Sequence, residues 1–381
     1  MELLTQETLA SAACAFRGYN VTNLGRTPEL LAHDAYGPLV RRHLQEASRI
    51  AADVSPHRFD LVERVTARRE SSLATFAEDI ALIMAVEVAH LDILRELHGL
   101  DYRRVRLSFG YSLGEVTALV AGGVFRLEDV LGPLLSMADD CAELATDVTM
   151  GVVFSLGPPL DLVAIERHCL HICSQGHGVI AISSQLAPNA VLLLGQGDTV
   201  DRFRQSMHPV LPETTHLRKN PHHWPPLHTP LLWQKQIPNR AAWTMFQMPG
   251  GFVEPAPRVL SLVTGEISYN DYNSRTHLAR WLDEPQRLWD AIYATLTRGI
   301  ETVIHLGPEP NLIPATYKRL SDNIEAQLNR RTMGGFGLRA VSGMARRPWL
   351  TAILPSRTAL LRAPIVRHVI LEDWLLEHPP G

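Results

Sequence analysis

The sequence predicts an α/β fold in which a small subdomain with an antiparallel sheet is inserted into a large subdomain with a parallel sheet. Two patterns support this fold class. Over roughly the first 110 residues, apolar strand-like runs alternate with long helical patterns, which is typical of parallel strands joined by helical crossovers. Short strands and two helices then follow in the order βαββα within about seventy residues, which is typical of an inserted antiparallel unit.

The first part of the chain is expected to supply two parallel strands and the helices between them. Apolar runs predict the strands at 9–16 and 105–109. Apolar residues at helical spacing predict long helices at 29–52, 70–100 and 127–145. Because helices separate the strands, we expect the strands to pair in parallel.

The most specific local pattern follows the strand at 105–109. Gly110 and Gly114 flank Ser112, and helix-spaced apolar residues continue beyond them. Strand, Gly-x-Ser-x-Gly and helix together make the nucleophile-elbow pattern, whose tight turn excludes side chains at the glycines. The Oγ of Ser112 is therefore expected at the carboxyl edge of the sheet. The N–H of Leu113, at a helix N-terminus, is expected to face a developing oxyanion.

The later part of the chain sets the expected subdomain boundaries. Strands at 151–156, 178–182 and 190–195, with helices at 161–173 and 199–207, predict the small subdomain at 151–222. The Pro- and His-rich stretch 220–232 predicts a loop. A helix at 233–246, a strand and turn at 259–266, a helix at 276–298 interrupted near Pro285, and a strand running into a turn at 302–308 follow. We therefore assign 1–150 and 223–325 to the large subdomain and 326–381 to a C-terminal extension.

Composition narrows the class of protein. Apolar residues make up 46% and charged residues 20%, and the net charge of −4 offers no basis for nucleic-acid binding. No apolar run is long enough to span a membrane, and no secretory signal is visible, so we expect a cytoplasmic protein. Four unevenly spaced cysteines indicate reduced thiols. His and Cys residues at 168–177 lack a second ligand pair at zinc-site spacing, so neither a metal nor a cofactor is expected.

Four segments together resemble one family. They are 110–115 (Gly-Tyr-Ser-Leu-Gly-Glu), 226–231 (Pro-Leu-His-Thr-Pro-Leu), 262–266 (Leu-Val-Thr-Gly-Glu) and 305–308 (His-Leu-Gly-Pro). They resemble the elbow, the catalytic-histidine segment, the Asn-Val-Thr-Gly strand and the Glu-Val-Gly-Pro turn of malonyl-CoA:acyl-carrier-protein transacylases and polyketide synthase acyltransferase domains. Order and spacing agree over roughly residues 9 to 325, which suggests a divergent relative of this family.

The resemblance implies an α/β-hydrolase-like large subdomain, a ferredoxin-like small one and an active site between them. It implies that Ser112 attacks an acyl-CoA thioester with His228 as base, and that the phosphopantetheine thiol of an acyl carrier protein then takes the acyl group. It also implies an oxyanion hole from the main-chain N–H groups of Leu113 and Tyr19. The main-chain carbonyl of Trp281 matches the position that orients the histidine.

Departures from the family pattern concern the substrate. Residues 18–22 lack the family's loop glutamine, and Tyr111 replaces the histidine before the nucleophile. Met137 takes the position of the arginine that binds the malonyl carboxylate. An unpaired carboxylate in such a pocket would cost several kcal/mol. Either the acyl group is not a dicarboxylate half-ester, or another arginine reaches in, or the activity has changed. We favour the first, with Tyr111, Met137 and Leu227 contacting the substrate.

Two other functions remain open on the sequence. An acyl-thioester hydrolase would use the same Ser112 and His228, with water in place of the carrier thiol. A catalytically inactive subunit could keep the acyltransferase fold as an interaction module. Glu115 is interpreted as support for the elbow helix rather than as an acid, and His222 and His223 as solvated loop residues.

Overall fold

The computed structural model describes residues 3–54, 58–156, 159–328 and 356–380. A sheet of five parallel strands lies at the centre of the large subdomain, in the spatial order β7-β2-β1-β8-β9. The strands are β1 (Ala12–Phe16), β2 (Leu107–Gly110), β7 (Val259–Leu260), β8 (Thr302–Leu306) and β9 (Arg367–Ile370). All residues of β1, β2 and β8 are buried, as expected for parallel strands covered on both faces.

Helices cover both faces of this sheet. They are α1 (Gln6–Ala10), α2 (Thr27–Ala32), α3 (Gly37–Val54), α4 (Leu61–Thr66), α5 (Phe76–His98), α6 (Leu113–Ala121), α7 (Leu127–Ala145), α10 (Ile237–Gln247), α11 (Ser274–Trp281), α12 (Leu288–Thr297), α13 (Leu312–Leu328) and α14 (Leu371–Glu377). The long α5 is apolar on most of its faces because it is buried among other elements. It ends where Gly99 adopts a left-handed conformation (φ +65°).

A second sheet, of four antiparallel strands, forms the core of the small subdomain. Its order is β4-β5-β3-β6, with β3 (Val148–Ser155), β4 (Ile180–Ala187), β5 (Ala190–Gln196) and β6 (Thr215–His223). Helices α8 (Leu162–Ser174) and α9 (Thr199–Ser206) pack on one face. Leu186, Leu192 and Leu194 join the apolar core of the large subdomain from the other face. The predicted α/β class, with a parallel sheet and a separate antiparallel one, is confirmed.

Several element predictions were wrong in detail. The stretch 220–232 was expected to be a loop throughout, but its first residues complete β6, which pairs with β3. β6 lies at the sheet edge, where its exposed side chains leave no alternating apolar pattern and Pro221 needs no hydrogen-bonding partner. The helix expected at 29–52 is divided into α2 and α3. The strand and turn expected at 259–266 are present, as the two-residue β7 and a turn closed by a bridge between Ser261 and Glu266.

The C-terminal region contributes to the large sheet. Within 356–380, a 3₁₀ segment (Ser356–Ile365) leads into β9, which pairs in parallel with β8, and α14 packs beside them. The carboxylate of Glu372 accepts hydrogen bonds from the main-chain N–H groups of Arg26 and Glu309. The subdomain boundaries at 150, 222 and 325 stay a prediction, and residues 329–355 of the proposed extension lie outside the described residues.

Candidate active site

Ser112 lies in the sharp turn between β2 and α6. Its backbone adopts φ +53° and ψ −121°, a left-handed conformation that a non-glycine residue rarely takes. A Cβ on Gly110 would lie 2.0 Å from the carbonyl carbon of Gly114, so a side chain there is impossible without moving the backbone. Leu113 begins α6, where the first N–H groups of a helix have no intrahelical acceptor. The N–H groups of Gly114 and Glu115 donate to the carbonyls of Tyr111 and Ser112, so the N–H of Leu113 is the donor that the turn leaves available next to the serine.

The structure brings Ser112 and His228 together. Serine Oγ lies 2.7 Å from histidine Nε2, and histidine Nδ1 lies 2.7 Å from the main-chain oxygen of Trp281. Because a carbonyl oxygen only accepts, Nδ1 carries the proton and Nε2 is left to accept from the serine hydroxyl. Burial lowers the pKa of His228 to about 4, so its ring is neutral at physiological pH. The pair therefore has the protonation that a general base needs.

The segment 281–286 holds both members of this pair. The N–H of His228 donates to the carbonyl of Leu282 at 2.6 Å. The indole Nε1–H of Trp281 donates to the carbonyl of Ser112 at 3.0 Å, and the side-chain oxygen of Gln286 accepts from the N–H of Ser112 at 3.3 Å. From the sequence, only a main-chain contact is predicted for Trp281, and Gln286 is not predicted as a site residue. No local pattern signals either side-chain contact, since each joins residues far apart in the chain.

Glu115 anchors the elbow helix. Its side chain is fully buried and accepts from the N–H of Leu262 at 3.0 Å and from the hydroxyl of Tyr269 at 2.6 Å. Burial raises the pKa of this carboxyl to about 7, against the opposing effect of its hydrogen bonds. Glu115 therefore ties α6 to the segment after β7 and does not face Ser112.

The loop after β1 runs against the elbow. A Cβ on Gly18 would lie 2.7 Å from the carbonyl oxygen of Tyr111 and 3.2 Å from Cβ of Ser112. This close approach requires glycine and brings the main chain of neighbouring Tyr19 beside the nucleophile. The Tyr19 ring packs edge-on against Phe76. The two residues expected to form an oxyanion hole, Leu113 and Tyr19, border a common cavity with Ser112.

The larger of two cavities at Ser112 has a volume of about 300 Å³ and lies between the two sheets. Its walls include Tyr111, Leu227 and His228 from the large subdomain, and Met150, Val152 and Leu192 from the small one. Arg17 also borders it, but the guanidinium donates to the carbonyls of Gly18, Thr22 and Pro308 and to the side chain of Asn23. Arg319, on α13, borders the cavity as an exposed residue.

The smaller cavity, of about 30 Å³, lies on the α5 and α7 side of Ser112. Its walls are almost entirely apolar and include Met137, Leu134, Cys141, Phe76 and Leu227. No Arg or Lys lies among the described residues that line it. The substrate-contact residues expected from the sequence, Tyr111, Met137 and Leu227, thus all border one of the cavities beside Ser112.

The His- and Cys-containing stretch at 168–177 forms no ligand cluster. His168 Nε2 lies 3.0 Å from the hydroxyl of Ser206, and Cys169 is buried in the core of the small subdomain. In the part of the chain that the structure describes, no group of three or more His, Cys, Asp or Glu side chains is arranged to hold a metal ion. Within the same residues, no helix combines the length and the apolar character needed to cross a membrane.

The fold and the Ser112–His228 hydrogen bond define a nucleophile-elbow protein of the α/β class with an inserted antiparallel subdomain. Solved malonyl-CoA:acyl-carrier-protein transacylases have this fold. FabD from Acinetobacter baumannii superposes with a TM-score of 0.66 at 18% identity, covering 81% of this chain and 91% of that one. MCAT from Streptococcus pneumoniae gives 0.65 at 22% identity, covering 81% and 92%. At such identities the likeness establishes the fold, and it confirms the resemblance drawn from the sequence.

Comparison of sequences, without structures, finds only a distant similarity to a curated protein. Polyketide synthase GfsA from Streptomyces halstedii is 24% identical over 202 residues, which are 52% of this chain and 2% of that protein's length. The chain therefore spans a very small part of the curated relative that it matches. No protein-family profile matches the sequence. A solved complex of a type II polyketide synthase acyl-carrier protein with its malonyl-transacylase also contains a chain of this fold, with a TM-score of 0.61 at 22% identity, covering 80% of this chain and 91% of that one.

Proposed function

We propose that this protein is an acyltransferase that moves an acyl group from acyl-CoA to an acyl carrier protein through an ester on Ser112. The observation that carries the proposal is the 2.7 Å hydrogen bond between Ser112 Oγ and Nε2 of a buried, neutral His228. In the first half-reaction, Oγ attacks the thioester carbon while Nε2 takes its proton. The C–S bond then breaks, and the proton passes from the imidazolium to the departing CoA sulfur.

The second half-reaction reverses these steps with a new thiol. The phosphopantetheine thiol of the carrier gives its proton to His228, and its sulfur attacks the ester carbon on Ser112. Collapse of the tetrahedral intermediate breaks the C–O bond and returns the proton to Oγ. The N–H groups of Leu113 and Tyr19 would stabilise the oxyanion in both halves. The carbonyl of Trp281, 2.7 Å from Nδ1, would hold the histidine in the reactive tautomer.

The acyl group is proposed to be a short monocarboxylic one. The small cavity beside Ser112 is apolar and has a volume of about 30 Å³, with Met137 in its wall. A malonyl carboxylate there would be desolvated without a cationic partner, at a cost of several kcal/mol. The donors of Arg17 are already used by neighbouring oxygens. The cavity of about 300 Å³ would accommodate the pantetheine arm.

The proposed partners are acyl-CoA as donor and an acyl carrier protein as acceptor, in fatty acid or polyketide biosynthesis. Support comes from the shared fold with a transacylase solved in complex with a polyketide synthase carrier protein. A cytoplasmic location is proposed on the four cysteines, all of which are free thiols. Neither a nucleic acid, a metal nor another cofactor takes part in the proposed reaction.

Intact-mass spectrometry tests this function. The protein is incubated with acetyl-, propionyl- and malonyl-CoA and then with a phosphopantetheinylated carrier protein. We expect an acetyl or propionyl adduct that is absent in Ser112→Ala, remains in the control Ser136→Ala, and moves to the carrier. Loss of the nucleophile is expected to lower the rate by a factor on the order of 10⁶.

Each alternative has its own outcome in this experiment. An adduct that is released as free acid in the presence of the carrier would assign the hydrolase instead. No adduct with any of the three thioesters would support the inactive interaction subunit. A malonyl adduct formed faster than the acetyl one would contradict the proposed acyl selectivity.

A further inference from the structure

Both residues of the candidate pair, Ser112 and His228, have a positive φ, and the backbone of Ser112 lies in the elbow turn itself. Its φ of +53° is one that side chains disfavour, so contacts outside the turn must hold it in place. The carbonyl of Ser112 accepts from the N–H of Glu115 at 2.9 Å and from the indole of Trp281 at 3.0 Å. Its N–H donates to the side-chain oxygen of Gln286 at 3.3 Å. Of these three contacts, only the one from Glu115 belongs to the elbow itself.

Gln286 is a polar side chain in a place where burial favours an apolar one. The residue is fully buried, and its Nε2 has no hydrogen-bond partner among the described residues. A buried unpaired donor is unfavourable, so another interaction of the amide must offset this cost. That interaction is the hydrogen bond from the N–H of Ser112, which would have no acceptor without the oxygen of Gln286. The N–H also fixes the orientation of the amide, because only the oxygen of Gln286 can accept from it.

The main chain of Gln286 is fixed by the small subdomain. Its N–H donates to the carbonyl of Ser183 at 2.9 Å. Its carbonyl accepts from the N–H of Gln185 at 2.8 Å and from the hydroxyl of Ser184 at 3.0 Å. Three hydrogen bonds with β4, of which β4 donates two and accepts one, thus hold the residue whose side chain reaches Ser112. Ser183 also donates through its hydroxyl to the carbonyl of Leu227 at 3.1 Å, next to His228.

We propose that Gln286 is a positioning residue that fixes the main chain of Ser112, so that Oγ stays within hydrogen-bond distance of His228 Nε2. This role rests on the proposed function, in which Ser112 is the nucleophile. Gln286 acts through the peptide between Tyr111 and Ser112 and does not contact the reacting atoms. Because its own main chain is paired with β4, the orientation of the nucleophile depends on the contact between the two subdomains.

Two variants separate positioning from packing. Gln286→Met keeps the length of the side chain but removes the acceptor, and Gln286→Glu keeps an oxygen where the acceptor stands. Gln185→Met is the control, since its side chain takes no part in the contacts above. A small displacement of a reacting group costs up to about a hundredfold in rate. We expect Gln286→Met to form the acyl-enzyme about ten- to a hundredfold more slowly at an unchanged half-saturating acyl-CoA concentration. Gln286→Glu should recover most of this loss.

The same variants are examined in two ways that need no acyl-CoA. Crystal structures of the wild type and Gln286→Met give the Oγ–Nε2 distance, which is expected to exceed 3.5 Å in the variant, beyond hydrogen-bond range. Labelling by a fluorophosphonate, which reacts with activated serines, is expected to slow by the same factor as acylation. An unchanged distance together with wild-type labelling would overturn the positioning role.

The outcomes distinguish this proposal from the proposed function. A wild-type protein that takes no acyl group from any CoA thioester contradicts the function, while the crystal structures still decide whether Gln286 positions Ser112. A wild-type protein that is acylated, with Gln286→Met acylated equally fast, contradicts the positioning role alone. A slower Gln286→Met with a raised half-saturating concentration, not rescued by Gln286→Glu, would assign the residue to packing of the binding cavity.

Discussion

Replacing Glu115 by Gln should make the protein more stable in alkaline solution than the wild type. The carboxyl is fully buried, and burial raises its pKa to about 7 from the 4.5 of an unfolded chain. The folded protein therefore binds this proton more tightly than the unfolded one does. The stabilisation is complete below about pH 4.5 and is lost as the pH rises through 7, because ionisation leaves a charge buried away from water.

The size of the effect follows from the two pKa values. A difference from 4.5 to about 7 corresponds to about 3 kcal/mol in the free energy of unfolding. Glutamine resembles the protonated acid: its oxygen can accept from the N–H of Leu262, and its amide can donate to the hydroxyl oxygen of Tyr269. At pH 5 the variant should thus lie within about 1 kcal/mol of the wild type. By pH 8.5 the wild type alone has lost most of its 3 kcal/mol.

Urea unfolding at pH 5, 6, 7 and 8.5 measures this difference. Glu87 and Glu372 are also buried with raised pKa values, but they are present in both proteins and cancel when the two curves are subtracted. Glu325→Gln, at an exposed position on α13, is the matched control and should give a difference that does not vary with pH. A difference for Glu115→Gln that is equally constant would refute the burial argument.

Two further predictions concern the rate and the selectivity of acylation. Burial lowers the pKa of His228 to about 4, and the histidine must be neutral to act as the base. The acylation rate should therefore stay level from pH 8 to about 5 and fall only below pH 5. A fall in the rate centred near pH 6.5 would contradict a desolvated base. Met137→Ala should enlarge the small cavity and raise the acylation rate with butyryl-CoA relative to acetyl-CoA by about tenfold or more. Met84→Ala, at a buried position away from the cavity, is the control. It should lower the melting temperature without changing the ratio of the butyryl-CoA rate to the acetyl-CoA rate.

Most of the features that could be predicted from the sequence were predicted from local residue patterns. The turn at Ser112 could be located because the glycines, the strand before it and the helix after it lie within about twenty residues. α7 was predicted with its observed bounds because its apolar residues recur at helical spacing over five turns. His228 could be proposed only through the resemblance of its segment, since a single loop histidine has no distinguishing pattern.

Contacts between residues that are far apart in the chain could not be predicted from the sequence. Gln286 and Ser112 are 174 positions apart, and a glutamine after a proline gives no sign that its amide meets a nucleophile. The strand β6 was missed for a different reason. Its exposed side chains at a sheet edge leave no alternating pattern, so pairing with β3 decides its conformation rather than its own composition. Tertiary context determines both features.

The position of β9 in the large sheet has a consequence for the folding of the chain during its synthesis. β8 is paired on one side with β1 and on the other with β9, which lies more than sixty residues later in the chain. A nascent chain that has emerged only as far as β8 therefore presents a buried-type strand, Thr-Val-Ile-His-Leu, with an open hydrogen-bonding edge. Such an edge can pair with another ribosome-bound copy. A message truncated before residue 356 should accordingly yield an aggregating product that retains Ser112 and His228.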